Sequence, residues 1–163
     1  MKLSYEKTIP ARPKHTLHQL VKQLIISYQP VAVRQNSFFI NDIPRQQLLH
    51  ADKQILATIL NPILYITAKY SPDSCIRIKS KAYGDSILLT ITDNNTQNRY
   101  SVISESHGLP LLLDKVGGIL EIARTGCHQT SISLSFLNRT NSNNCLHKNY
   151  KEDVSYVQYL KAS

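Results

Sequence analysis

Six histidines, three cysteines and eleven carboxylates are the side chains of this chain that could hold a metal, move a proton or attack a substrate. Their spacing is poor in chemistry. Cys127-His128 and Cys145-Leu146-His147 lack the paired ligands of a zinc module, so no metal site is expected. With Cys75 they make an odd, widely spaced set, which reads as free thiols in a reducing compartment. Two patterns say more. The run LLTITD places Asp93 at the end of an apolar strand, where a carboxylate can accept from a ligand or simply cap the next loop. The run CIRIKSKAY alternates Ile76 and Ile78 with Arg77, Lys79 and Lys81. In a strand that puts a row of cations on one face and apolar residues on the other. Such a row can dock an acidic protein surface, and its plain alternative is solubility. The formal charge of +8 is otherwise scattered, with no dense basic block, so nucleic acid is disfavoured as a partner.

The elements that must position these residues follow from hydrophobic period. Within 15–28, Leu17, Leu20, Val21, Leu24 and Ile25 have amphipathic-helix spacing, and Pro30 is expected to stop its continuation. Residues 37–40 read as a short strand. Asp52 is placed as the N-cap of a helix carrying Ile55, Leu56, Ile59, Leu60, Ile63 and Leu64 and running to about Tyr70. A hairpin follows, Cys75–Tyr83 and Ser86–Asp93, turned by Gly84-Asp85. A helix is expected over 101–116, then Gly117-Gly118 and a last hairpin, Ile119–Arg124 and Thr130–Leu137, with Ile132, Leu134 and Phe136 facing in. This order predicts an α+β two-layer sandwich, a mixed and mostly antiparallel sheet with about three helices on one face. The expected organisation is an N-terminal extension (1–14), one domain (15–137), and a polar linker and tail (138–163), the tail reading as frayed, with a short amphipathic turn or two through Val154, Val157 and Leu160 as the alternative.

A chain of 163 residues with 42% hydrophobic and 18% charged residues suits one soluble globular domain. Its best apolar run, 55–66, is interrupted by Thr58, Asn61 and Pro62, so no membrane insertion is expected. The first fifteen residues lack the apolar core of a signal peptide, and a cytoplasmic location is expected.

ADKQILATILNPILYITAKYS (51–71), then a basic strand, then LLTITDNN, resembles the ATP-binding domain of sensor histidine kinases, in the wider gyrase, Hsp90, kinase and MutL ATPase superfamily. In that family an acidic residue precedes a helix ending Asn-Ala-x-Lys-Tyr-Ser, and a later strand ends Asp-x-Gly-x-Gly. Asp52, Lys69-Tyr70-Ser71, Asp93, Gly117-Gly118 and the closing strand from Thr130 match. The resemblance implies that Asp93 stands where an Asp accepts from the adenine amino group, with Asn61 and Lys69 as further vestiges of nucleotide binding. The departures are equally specific. The position of the Mg²⁺-binding Asn holds Ile66, which offers no oxygen to a hard cation. Pro62 replaces an Asn one turn earlier, and Asn61 lies about 100° round the helix from it. Asn95 and Gln97 replace the two glycines that let backbone approach nucleotide. Gly108-Leu109-Pro110-Leu111 only echoes the family's phosphate loop, and His15, His50 and His107 lack the surroundings of a phospho-accepting histidine.

The expectation is therefore a non-catalytic module of this fold, acting through protein–protein contact in bacterial signal transduction. Its expected partner is a signalling protein such as a histidine kinase or a response regulator, met by Arg77, Lys79 and Lys81. No cofactor is expected. The alternative is a divergent ATP-binding domain or kinase fragment that keeps adenine recognition through Asp93, and only then ATP and Mg²⁺.

Overall fold

The computed structural model describes residues 15–94, 103, 108–124 and 129–139. Thr16 opens the first helix, α1 (Leu17–Arg34), with a capping box. Its hydroxyl accepts from the Gln19 amide at 3.2 Å, and the Gln19 side chain accepts from the Thr16 amide at 3.4 Å. Leu17, Leu20, Val21 and Leu24 form the buried stripe, as their spacing requires. Pro30 does not end this helix, contrary to expectation; it lies inside it. A helical Pro deprives the carbonyl four residues earlier of its donor. Here that residue is Ile26, 64% exposed, so the turn that loses the bond faces solvent, while Ala32 beyond the Pro is fully buried and holds the last turn to the domain.

Strand β1 (Phe38–Asn41) follows, then α2 (Lys53–Tyr70). Asp52 caps α2 as expected, accepting from the amides of Gln54 at 2.8 Å and Ile55 at 3.0 Å. Leu56, Ile59, Leu60, Ile63 and Leu64 are buried along it. Pro62 sits within an unbroken helix, and the carbonyl it deprives, that of Thr58, is on the exposed side. Strands β2 (Cys75–Tyr83) and β3 (Ser86–Asp93) form the expected hairpin, with Gly84 at φ +57° in its turn.

The expected helix over 101–116 is not continuous. Gly108, at φ +88°, leaves helical backbone, so α3 (Leu109–Lys115) starts afresh after it. Ile103 is helical and fully buried; the other residues between 95 and 107 lie outside the described set. Strands β4 (Ile119–Arg124) and β5 (Thr130–Leu137) close the fold. Gly117, at φ +55°, makes the entry to β4, and a Cβ there would fall 2.7 Å from Leu137 Cδ1.

The strands order β1-β2-β3-β5-β4, with β1 parallel to β2 and every other pair antiparallel. Register sorts the side chains into two faces. Ile78, Ile91, Ile132 and Ile122 align across the inner face, as do Leu89, Leu134 and Leu120 one row on. With α1, α2 and α3 they build one apolar core, in which Phe136 is 1% exposed. The architecture is thus the expected α+β sandwich, with three helices and a five-stranded mixed sheet named among the described residues. Among the described residues no helix is long and apolar enough to cross a membrane. Asn138, the first residue beyond β5, clasps the segment before α2. Its side-chain oxygen accepts from the amides of His50 at 2.7 Å and Ala51 at 3.2 Å, and its nitrogen donates to Leu48 O at 3.0 Å.

Candidate functional site

Asp93 ends β3 on the inner face, opposite Thr130 of β5, at the rim of the sheet nearest the end of α2. It is 2% exposed. A carboxylate at that depth must be hydrogen-bonded, because desolvation of an unpaired charge is costly. The Ser71 hydroxyl, from the C-cap residue of α2, donates to it. The network continues outward: Ser37 Oγ donates to the Ser71 carbonyl and accepts from the Ser74 amide at 2.9 Å. One chain of polar contacts so joins the end of α2, the approach to β1, the start of β2 and the end of β3. Asp93 ends its strand as expected, and the fold uses its carboxylate.

Asn61 and Lys69 are placed elsewhere. The side-chain oxygen of Asn61 accepts from the Tyr28 hydroxyl at 2.9 Å, which turns it toward α1. The Tyr28 ring meets Tyr65 with centroids 6.0 Å apart. Lys69 lies one turn further along the same exposed stripe, its ammonium 5.6 Å from the Tyr65 ring centre and 5.3 Å from that of Tyr70. Tyr65, then Tyr70, raise the lysine's pKa above its ordinary value, since ionised phenols would hold its proton. None of these contacts brings Asn61 or Lys69 to Asp93. This helix–helix seam of Tyr28, Asn61, Tyr65 and Lys69 is a feature the sequence reading passed over. Its signal was the 61-65-69 spacing, one helical turn per step.

Among the described residues the donor set fits Mg²⁺ poorly. Ile66 is 6% exposed and belongs to the core cluster. The next residue, Thr67, turns its hydroxyl back to the Ile63 carbonyl at 2.8 Å, so it is spent within the helix. Among the described residues no group of three His, Cys, Asp or Glu is placed to hold a metal. A shallow cavity of about 420 Å³ opens at the other end of the helices, between His15, Gln19, Lys22 and Lys53, and none of the three nucleotide candidates lines it. Asn95 and Gln97 lie outside the described residues.

The other candidate site is the open face of the sheet. Arg77, Lys79 and Lys81 share it, opposite the buried Ile76 and Ile78. Across the strands they align with hydroxyls: Arg77 with Thr92 and Ser131, Lys79 with Thr90 and Ser133. Arg77 is tied to Asp42 at 2.5 Å, both about two-fifths to one-third exposed. Lys79 and Lys81 are exposed, and Lys81 reaches over the Tyr83 ring at 5.0 Å.

No protein-family model matches the sequence, and no curated protein does. Solved structures do match its fold. The histidine kinase AdeS of Acinetobacter baumannii superposes with a TM-score of 0.65 over 80% of this chain and 67% of that one, at 12% identity. The nucleotide-free catalytic domain of the histidine kinase ThkA gives 0.64 over 78% of this chain and 97% of its own, at 11% identity. ThkA in complex with the response regulator TrrA gives 0.64 over 80% of this chain and 42% of that one, at 10% identity. At such identities the likeness is architectural: this chain has the fold of histidine-kinase ATP-binding domains.

Proposed function

We propose that this chain is a non-catalytic member of that architecture, acting by protein–protein contact in bacterial signal transduction. The observation that carries the reading is Ile66. An aliphatic side chain sealed in the core occupies the place where the resemblance puts the metal-binding amide. A fold does not bring its chemistry with it; the residues at the site do. Asp93 and Asn61 support the same reading, since both are committed to contacts inside the domain. The partner is a signalling protein, a histidine kinase or a response regulator, and ThkA bound to TrrA is a precedent for such an assembly on this architecture. Arg77, Lys79 and Lys81 are the docking residues, with long-range attraction to carboxylates speeding encounter. The working compartment is the cytoplasm.

Calorimetric titration with ATP and Mg²⁺ tests the reading. The expected result is no saturable heat at up to 1 mM nucleotide. Binding near 10 μM would overturn it. One observation favours the second reading, a divergent ATP-binding domain: Asp93 stands at the strand end, on the inner face, beside the end of α2. On that reading binding would survive and Asp93→Asn would weaken it.

A further inference from the structure

The cation row continues into an apolar patch. Register places Lys81, Leu88, Ser135 and Ile119 in one row of the open face and Tyr83, Ser86 and Leu137 in the next. Ile119 is 55% exposed, Tyr83 53% and Leu137 39%. Contiguous apolar surface of this kind, beside exposed cations, marks a contact surface. The same end of the sheet is where the described chain departs. Asn138 N donates to Asp85 O at 2.7 Å, and Arg139 Nη2 lies 2.6 Å from Asp85 Oδ2, beside the turn between β2 and β3. The sequence then runs on through 140–163, where Glu152-Asp153 precedes Val154, Tyr156, Val157, Tyr159 and Leu160.

We propose that segment 152–160 of this same chain docks on the patch, with Glu152 and Asp153 toward Lys79 and Lys81 and its apolar residues over Tyr83, Leu88, Ile119 and Leu137. The tether is long enough. The 12 residues from Thr140 to Lys151 span up to about 40 Å extended, and Lys79 lies four residues along β2 from Tyr83, about 14 Å. Tethering also presents the segment at millimolar effective concentration, so weak contacts suffice. The segment preceding α1 is the worse occupant: Lys2, Lys7, Arg12 and Lys14 against Glu6 give it the sign of the cation row. Docking there covers two of the three residues assigned to partner binding, so a partner and the chain's own C-terminal segment compete for one face.

The experiment needs no partner, so it stands or falls apart from the proposed function. A photo-crosslinking phenylalanine analogue replaces Tyr156 in the full chain, and products are mapped by mass spectrometry. Expected are intramolecular links to β2, β3, β4 or β5 at the patch, with a yield independent of protein concentration. Lys79→Glu with Lys81→Glu should cut that yield at least threefold, and adding Glu152→Lys with Asp153→Lys should restore it. In the unlabelled chain, Val157→Asp with Leu160→Asp should shift the methyl resonances of Leu88, Ile119 and Leu137. Links that fall elsewhere, links that form only between copies, or unmoved methyl resonances would each overturn the proposal.

Discussion

The rim at Asp93 and the open face at Lys79 hold comparable polar side chains put to opposite use. At the rim, Asp93, Ser71 and Ser37 are 3% exposed or less and bond to one another or to backbone. On the open face, Lys79 and Lys81 project into water from a strand whose other side is fully buried isoleucine. Burial makes a polar group costly to disturb and removes it from ligands; exposure makes it cheap to change and leaves it to partners. The rim's polar side chains thus serve the fold, and those of the row stay accessible.

Ile66→Asn strikes the rim hardest. It deletes packed aliphatic volume and buries an amide without a prepared partner, for about 4 kcal/mol. Denaturant midpoints should fall strongly while ATP and Mg²⁺ still give no heat. Tight Mg²⁺-dependent ATP binding by this variant would break the comparison, because it would mean the rim had kept the rest of a nucleotide site. Next in size, Asp93→Ala leaves the Ser71 hydroxyl without its acceptor, at about 2–3 kcal/mol. Asp93→Asn keeps an acceptor oxygen and should cost less. Stability unchanged within about 0.5 kcal/mol in the Ala variant would show that the carboxylate is not structural.

These two residues also show what the sequence could reveal. The position of Asp93 at a strand end was legible, as were Asp52 as a cap, both hairpins and the inward residues of β5, because period and turn chemistry are local. Its partner was not: Ser71 is 22 residues away, and only tertiary structure says that its hydroxyl takes the carboxylate. Pro30 and Gly108 misled in opposite directions. The local penalty of Pro30 was outweighed by the buried Ala32 beyond it and is borne in a turn that faces solvent at Ile26. Gly108, placed inside one helix over 101–116, in fact separates α3 from what precedes it through its positive φ. The direction of Asn61 was not legible either, because its partner, the Tyr28 hydroxyl, lies on another helix.

Tyr28→Phe removes that hydroxyl alone and should cost about 1 kcal/mol by chemical denaturation. The effect should vanish in an Asn61→Ala background, where no acceptor remains. An additive loss in the double variant would put Asn61 elsewhere. On the open face, Lys79→Glu with Lys81→Glu should change stability by no more than about 0.5 kcal/mol, yet slow association with a partner recovered by pull-down. The wild-type rate should fall as salt rises, with screening over about 8–10 Å at 0.1–0.15 M ionic strength. An unchanged rate in the folded variant would return the row to ordinary surface.

The smallest effect sits between the two regions, at Lys69, a polar residue that is exposed and yet engaged. Its pKa is raised by Tyr65 first and Tyr70 second. Both phenol oxygens lie beside the ammonium and favour its charged form. The folded value being above the unfolded one, any stability from the contact is complete below the ordinary lysine range and disappears as pH rises through the raised value. A proton titration followed at the Lys69 side-chain carbon should therefore show a midpoint above the ordinary lysine value. Tyr65→Phe keeps the ring face but not the ionisable hydroxyl, and should bring the midpoint most of the way back. If Tyr65→Phe leaves it raised, Tyr70 carries the effect. If Lys69 titrates at the ordinary lysine value from the start, its ammonium is free of both rings, and the stripe from Asn61 to Lys69 joins the open face as surface available to a partner.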